Sequence, residues 1–251
     1  MSAFIVRIAL NTPVIMNPVL TLDGLLARLA FDRLGDAEAA LASLPLECVR
    51  PDISSLPEQE PAQPAPLRSA LIHKASILFA EGPAPEAKVN MVRLARPGKT
   101  LTADMIRPGR GKKIPNILTH RGEFKNLLDN YTARMPMALW AFGRGDADAV
   151  RAALEGVKAI GKKRAQGWGE IAEVEVDRIE APEAFGLMTA DGKPARAVPI
   201  ALWEEIGGSL DGITTTMAMT GFPRWACEPE FCAVPASVVV SRAALRSMMA
   251  C

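Results

Sequence analysis

The first apolar positions of the chain alternate. Phe4, Val6, Ile8 and Leu10 fall on one side of residues 3–11, which predicts a strand with one buried face. The period then changes. Leu22, Leu25, Leu26 and Leu29 recur at helical spacing behind Thr21, a residue suited to an N-cap, with Asp23 in the first turn, so a helix is expected over about 21–34. Residues 50–67 have no apolar period and repeat proline among acidic residues, which predicts an exposed loop. A second strand is expected over 70–80 and a third over 134–143. Asp146 and Asp148 open a second helix whose apolar face is Val150, Ala153, Leu154, Val157 and Ile160. Ala172, Val174 and Val176 then alternate with Glu173, Glu175 and Asp177, the pattern of a strand with one wet face.

The order strand, helix, strand, strand, helix, strand predicts an α+β fold: a ferredoxin-like (RRM-like) βαββαβ antiparallel sheet with both helices on one face. Two additions are expected on that core. An insertion at about 88–128 separates the second and third strands, so the core domain spans 1–180. Residues 181–251 form a C-terminal extension with strand-like pieces at 195–202, 213–220 and 233–240, packed on the sheet or extending it.

The composition narrows the function mainly through where the charge lies. The chain of 251 residues has a net charge of only +1. Residues 88–125 nevertheless hold ten Lys and Arg against Asp104 and Glu123, so the remainder is acidic. Pro97-Gly98, Pro108-Gly109 and Gly111 break that stretch, which suits a projecting arm that tracks a polyanion; a solvated surface loop is the plainer alternative. With four Trp, one Tyr and eight Phe, a nucleic-acid surface here would depend on cations more than on stacked rings. No apolar run reaches the ~18–20 residues of a membrane span, and the N-terminus does not read as a signal peptide, so a cytoplasmic protein is expected. Cys48, Cys227, Cys232 and Cys251 form no C-x-x-C pair; neither a metal site nor a cofactor is expected.

The sharpest local motif is Gly161-Lys162-Lys163-Arg164-Ala165-Gln166-Gly167-Trp168-Gly169, between the second helix and the last strand. Gly161, Gly167 and Gly169 permit tight turning and close approach. Lys162, Lys163 and Arg164 set three consecutive cations at the junction, where amides and side chains together could hold a phosphodiester backbone, and Trp168 could stack on a base or wedge into the core. The spacing is not that of a phosphate-binding P-loop, and the loop follows a helix where a P-loop precedes one. The alternative is a helix end whose cations complement the dipole. Catalytic candidates are sparse. His73 sits in an expected strand and His120 in the basic insertion; His120, Tyr131 and Lys125 are the set from which metal-free RNA cleavage would draw.

The stretch Ala159–Ile171 resembles the glycine-rich loop of the RAMP superfamily, and Gly143-Arg144-Gly145-Asp146 before the helix resembles it too. Pro18-Val19-Leu20-Thr21-Leu22-Asp23-Gly24-Leu25-Leu26-Ala27 is similar to the Cas-five-like subunit of type IV CRISPR systems, and Pro223-Arg224-Trp225 and Cys232-Ala233-Val234-Pro235 agree more weakly. The resemblance implies a non-catalytic backbone subunit that caps the 5′ handle of a guide RNA (crRNA), and a thumb where the basic insertion lies. It implies a repeated backbone subunit and a large subunit as neighbours, and a contribution to recognising the motif that flanks the target DNA. RNA contact is then expected from Gly161, Lys162, Lys163, Arg164, Gly167, Trp168 and Gly169, and from Arg107, Arg110, Lys112, Lys113, His120, Arg121 and Lys125 of the insertion. Some relatives of other types cleave precursor RNA, so a metal-independent endoribonuclease is the alternative activity.

Overall fold

The computed structural model describes residues 2–16, 19–49, 72–93, 127–220 and 229–249. The expected loop at 50–67, most of the basic insertion and Pro223-Arg224-Trp225 lie outside the described residues. The chain is a mixture of α and β. In order it forms β1 (Ser2–Leu10), β2 (Val14–Ile15), α1 (Leu22–Leu34), α2 (Ala37–Ala42), β3 (Cys48–Val49), β4 (Ile72–His73), β5 (Phe79–Glu81), β6 (Glu86–Arg93) and β7 (Leu127–Arg134). It continues with β8 (Ala138–Gly145), α3 (Ala147–Leu154), β9 (Ile171–Ile179), β10 (Val198–Pro199), α4 (Ile200–Glu205), β11 (Thr214–Ala218), β12 (Glu230–Val234), β13 (Val239–Val240) and α5 (Arg242–Met249). Two compact units result: Met1–Pro85 with Arg134–Cys251, and Glu86–Ala133.

The first unit is built on a five-stranded sheet in the order β13-β5-β8-β1-β9. β1 is central and antiparallel to both β8 and β9, β5 is antiparallel to β8, and β13 joins β5 in parallel. Alternation along β1 divides the core. Phe4, Val6, Ile8 and Leu10 pack with Leu22, Leu25 and Leu26 of α1 and with Val150 and Leu154 of α3, so both helices cover one face. On the other face Ala3, Phe79 and Phe142 meet Phe185 and, from α5, Leu245 and Met248. The Phe79 and Phe142 rings stack at 5.5 Å between centroids. Each fully buried large side chain of this kind contributes about 1.5–3 kcal/mol. The antiparallel sheet β10-β12-β11 forms a smaller core around Trp203, Leu202, Val198 and Ile72. In the second unit β6 and β7 are hydrogen-bonded neighbours.

Helix α1 begins as its sequence dictates: the Thr21 hydroxyl accepts the Gly24 N–H at 3.3 Å, and Gly35, left-handed at φ 74°, closes it with its N–H to the Phe31 carbonyl. Other elements depart from the pattern. The strand expected over 70–80 is split into β4 and β5, because the Arg196 guanidinium takes the carbonyls of His73 and Ala75 and the Ser76 hydroxyl accepts the Phe142 N–H. The Arg196 side chain and backbone groups of several segments (Glu47, Phe142, Ala195 and Leu20) take the place of one continuous ladder partner there. The strand expected over 134–143 is β8, at 138–145, and β7 occupies 127–134 before it. The piece 195–202 is a two-residue strand running into α4; Leu202 and Trp203 turn inward, and Gly208 lies so close over the indole that a Cβ there would sit 2.1 Å from it. Helix α3 stops at Leu154, so Val157 and Ile160 reach the core from beyond the helix.

Candidate nucleic-acid interface

The segment after α3 turns back on itself as a hairpin. Gly156, left-handed at φ 79°, ends the helical path. The Ile160 N–H donates to the Gly169 carbonyl at 2.9 Å and the Ile171 N–H to the Lys158 carbonyl at 2.9 Å, closing the base of a loop at 161–169. The loop is also fastened to residues 11–15. Lys162 N–H donates to the Ile15 carbonyl (2.8 Å), Gly169 N–H to the Pro13 carbonyl (2.8 Å) and Glu170 N–H to the Thr12 hydroxyl (2.9 Å). Two glycines are required by this fit. A Cβ at Gly161 would lie 2.7 Å from the Ile15 carbonyl oxygen, and one at Gly169 would lie 2.0 Å from that of Ile160.

The cations ride on this fixed frame. Lys163 is left-handed at φ 60°, the one non-glycine residue in that region among the described residues, and it leads into a 3₁₀ turn over Arg164–Gln166. For a residue with a side chain that conformation costs about 1–3 kcal/mol, and such costs concentrate at working surfaces. Lys162 and Arg164 are exposed, Lys163 and Trp168 half-buried. The amides of Lys162, Gln166, Gly167 and Gly169 all donate within the protein, so phosphate contact here falls mainly to side chains. The structure therefore brings Gly161, Lys162, Lys163, Arg164, Gly167, Trp168 and Gly169 together in one loop. Arg107, Arg110, Lys112, Lys113, His120, Arg121 and Lys125 lie outside the described residues.

A buried charge cluster, invisible in the sequence pattern, lies inside the same unit. Arg196 and Asp23 are 3 % and 4 % exposed. Arg196 Nη1 donates to Asp23 Oδ2 at 2.7 Å, and Nη2 to the Thr220 carbonyl at 2.8 Å. His73 Nδ1 lies 3.8 Å from Asp23. Burial alone would raise the Asp23 carboxyl, but Arg196, Thr21 and His73 outweigh it and hold the group below the usual carboxylate range. Burial lowers the His73 imidazole despite Asp23 beside it, so it is neutral at physiological pH. This cluster gives a physical role to the Leu22-Asp23-Gly24 part of the N-terminal stretch. Asp23 anchors the extension to the start of α1, and a Cβ on Gly24 would crowd the Thr21 hydroxyl at 2.9 Å.

Of the set considered for RNA cleavage, Tyr131 is half-buried on β7, and His120 and Lys125 fall outside the described residues. Among the described residues no group of His, Cys, Asp and Glu is arranged to hold a metal ion. Cys48 is exposed, and Cys232 is buried with its thiol pushed up to about 11 by burial and by Glu230. No helix among the described residues is long and apolar enough to cross a membrane.

No curated protein matches the chain. A family model described as CRISPR type IV associated protein Csf3 matches residues 3–187, a span that holds β1, both core helices, the 161–169 loop and β9. The chain thus belongs to the CRISPR type IV associated protein Csf3 family and is a Cas-five-like subunit of a type IV CRISPR complex.

Proposed function

We propose that this subunit grips the 5′ handle of the guide RNA as a non-catalytic, cytoplasmic scaffold of the type IV ribonucleoprotein. The observation that carries the reading is the 161–169 loop: Lys162, Lys163 and Arg164 in succession on a hairpin pinned at its base and against residues 11–15. A pinned loop loses little conformational entropy when it binds, so phosphate neutralisation is retained as affinity. The strand order β9-β1-β8-β5 with α1 and α3 on one face supports a ferredoxin-like RAMP core. The opposite sheet face is a poor alternative RNA surface. α5 covers part of it, and the exposed Glu173, Glu175 and Asp177 point there from β9, with Arg7 already paired to Glu175 at 2.9 Å.

In this reading the Glu86–Ala133 unit carries the thumb, whose cations Arg107 to Lys125 contact the handle. The neighbours are the repeated backbone subunit and the large subunit, and the assembled complex brings the subunit to the motif flanking the target DNA. The non-catalytic assignment is supported by His73, which is buried and neutral. The test is to isolate the tagged subunit from cells that express a CRISPR array and sequence the RNA it carries. Guide RNA should accompany the wild type and be depleted from a Lys162→Ala/Lys163→Ala/Arg164→Ala protein. Equal recovery from both would refute the loop's role.

A further inference from the structure

A groove of about 830 Å³ runs beside the core helices. Its floor is aliphatic. Leu29, Leu44, Ala153 and Val157 pack against the main core yet remain half-exposed along it. Its wall is made of small side chains, Ala149 and Ala152 of α3, which let another backbone come close. Its rim is basic: Arg33 from the last turn of α1, then Lys158 and Arg164 from beyond α3, against the single carboxylate Glu155.

We propose that this groove docks an acidic, amphipathic α-helix of another subunit of the complex. Apolar residues at i, i+3 or i+4, and i+7 of that helix fill the floor, and its flanking Asp and Glu meet Arg33, Lys158 and Arg164. The lining disfavours RNA. It offers no aromatic ring for a base to stack on and no side-chain amide to read a base edge. Its one serine, Ser43, already donates its hydroxyl to the Ala40 carbonyl at 2.9 Å. The aliphatic floor and alanine wall instead match the ridges of a packed helix. The inference does not depend on the guide-RNA reading, since Arg164 is the only residue the two share.

The test uses the assembled type IV complex, with the photo-reactive residue benzoylphenylalanine installed in place of the exposed rim residue Glu155. After irradiation, mass spectrometry identifies the attached peptide. A peptide of another subunit with helical apolar spacing and flanking carboxylates is the expected product. Arg33→Glu with Lys158→Glu should lower its yield on the order of tenfold, while leaving guide-RNA recovery unchanged. If circular dichroism shows that double variant to be unfolded, Ala152→Trp, which fills the groove from an exposed wall position, replaces it and predicts the same loss. Attachment to guide RNA, to a second copy of this chain or to the chain's own acidic 50–66 stretch would overturn the proposal. So would an absence of attachment, or a yield indifferent to these substitutions. Loss of RNA from a Lys162→Ala/Lys163→Ala variant, which keeps the shared Arg164, with an intact Glu155 cross-link would separate the two sites.

Discussion

Arg196 brings a permanent charge into the protein interior, and the surrounding atoms explain how that is tolerated. Asp23 neutralises it and the His73, Ala75 and Thr220 carbonyls accept from its two Nη atoms, while its buried Nε has no hydrogen-bond partner among the described residues. Removing one partner of such a pair leaves the other uncompensated, at about 3–5 kcal/mol. His73 at the edge of this cluster makes stability depend on pH. Its imidazole binds a proton less readily in the folded chain than its ordinary value of 6.5 implies. Below that pH the unfolded chain therefore takes up the proton first. The contribution is full above about pH 6.5 and is lost as pH falls toward the lowered folded value. Urea midpoints for the wild type should drop between pH 7.5 and 5.5, and His73→Gln should flatten the drop; an equal slope in both proteins would count against the burial of this histidine. The sequence shows Asp23 as a helix-dipole residue and His73 as a strand residue, and both descriptions are sound locally. Their shared partner Arg196 is 173 positions from Asp23, beyond any local period.

At the scale of elements, the 161–169 hairpin shows why glycines in one motif are not equivalent. Gly167 and Gly169 are both left-handed, at φ 83° and 68°. A Cβ at Gly167 meets nothing within 4 Å, so Gly167→Ala should cost only the backbone preference, about 1 kcal/mol. A Cβ at Gly169 would strike the Ile160 carbonyl oxygen at 2.0 Å, across the hydrogen bond that closes the hairpin. Gly169→Ala should therefore cost about 3 kcal/mol or more and weaken RNA binding with it. Thermal unfolding of the two variants checks this, and equal losses would mean that the hairpin is not closed at Gly169. The elements that could be read from sequence are those whose own residues decide them: β1 by alternation, α1 by its leucine stripe, cap and closing glycine, β9 by its wet face. The strand expected over 70–80 failed because the Arg196 side chain and the backbone of several distant segments, not one neighbouring strand, take its hydrogen bonds. The turn into α4 was hidden because Ala195–Leu202 satisfies an alternating pattern as readily as a short helix. The glycine motif marked the loop, but its fastening to Pro13 and Ile15 depends on β2, two residues too short to leave a pattern.

At the scale of the whole molecule, charge is sorted. A nearly neutral chain concentrates ten cations in residues 88–125, sets three more on the 161–169 loop and lines the free edge of its sheet with Glu173, Glu175 and Asp177. Sorting of this kind favours one orientation of a polyanion and repels it elsewhere. The family match spans residues 3–187, the core, and ends before most of the C-terminal extension. There the extension contributes Arg196 to the α1 anchor and β13 to the sheet. The most direct measurement of the central claim is the salt dependence of guide-RNA affinity. Each phosphate neutralised on a single strand adds about 0.7 to the slope of log K against log salt. The Lys162→Ala/Lys163→Ala/Arg164→Ala protein should show a shallower slope than the wild type by about 2, with its thermal unfolding unchanged. A folded triple variant with the wild-type slope would contradict the account.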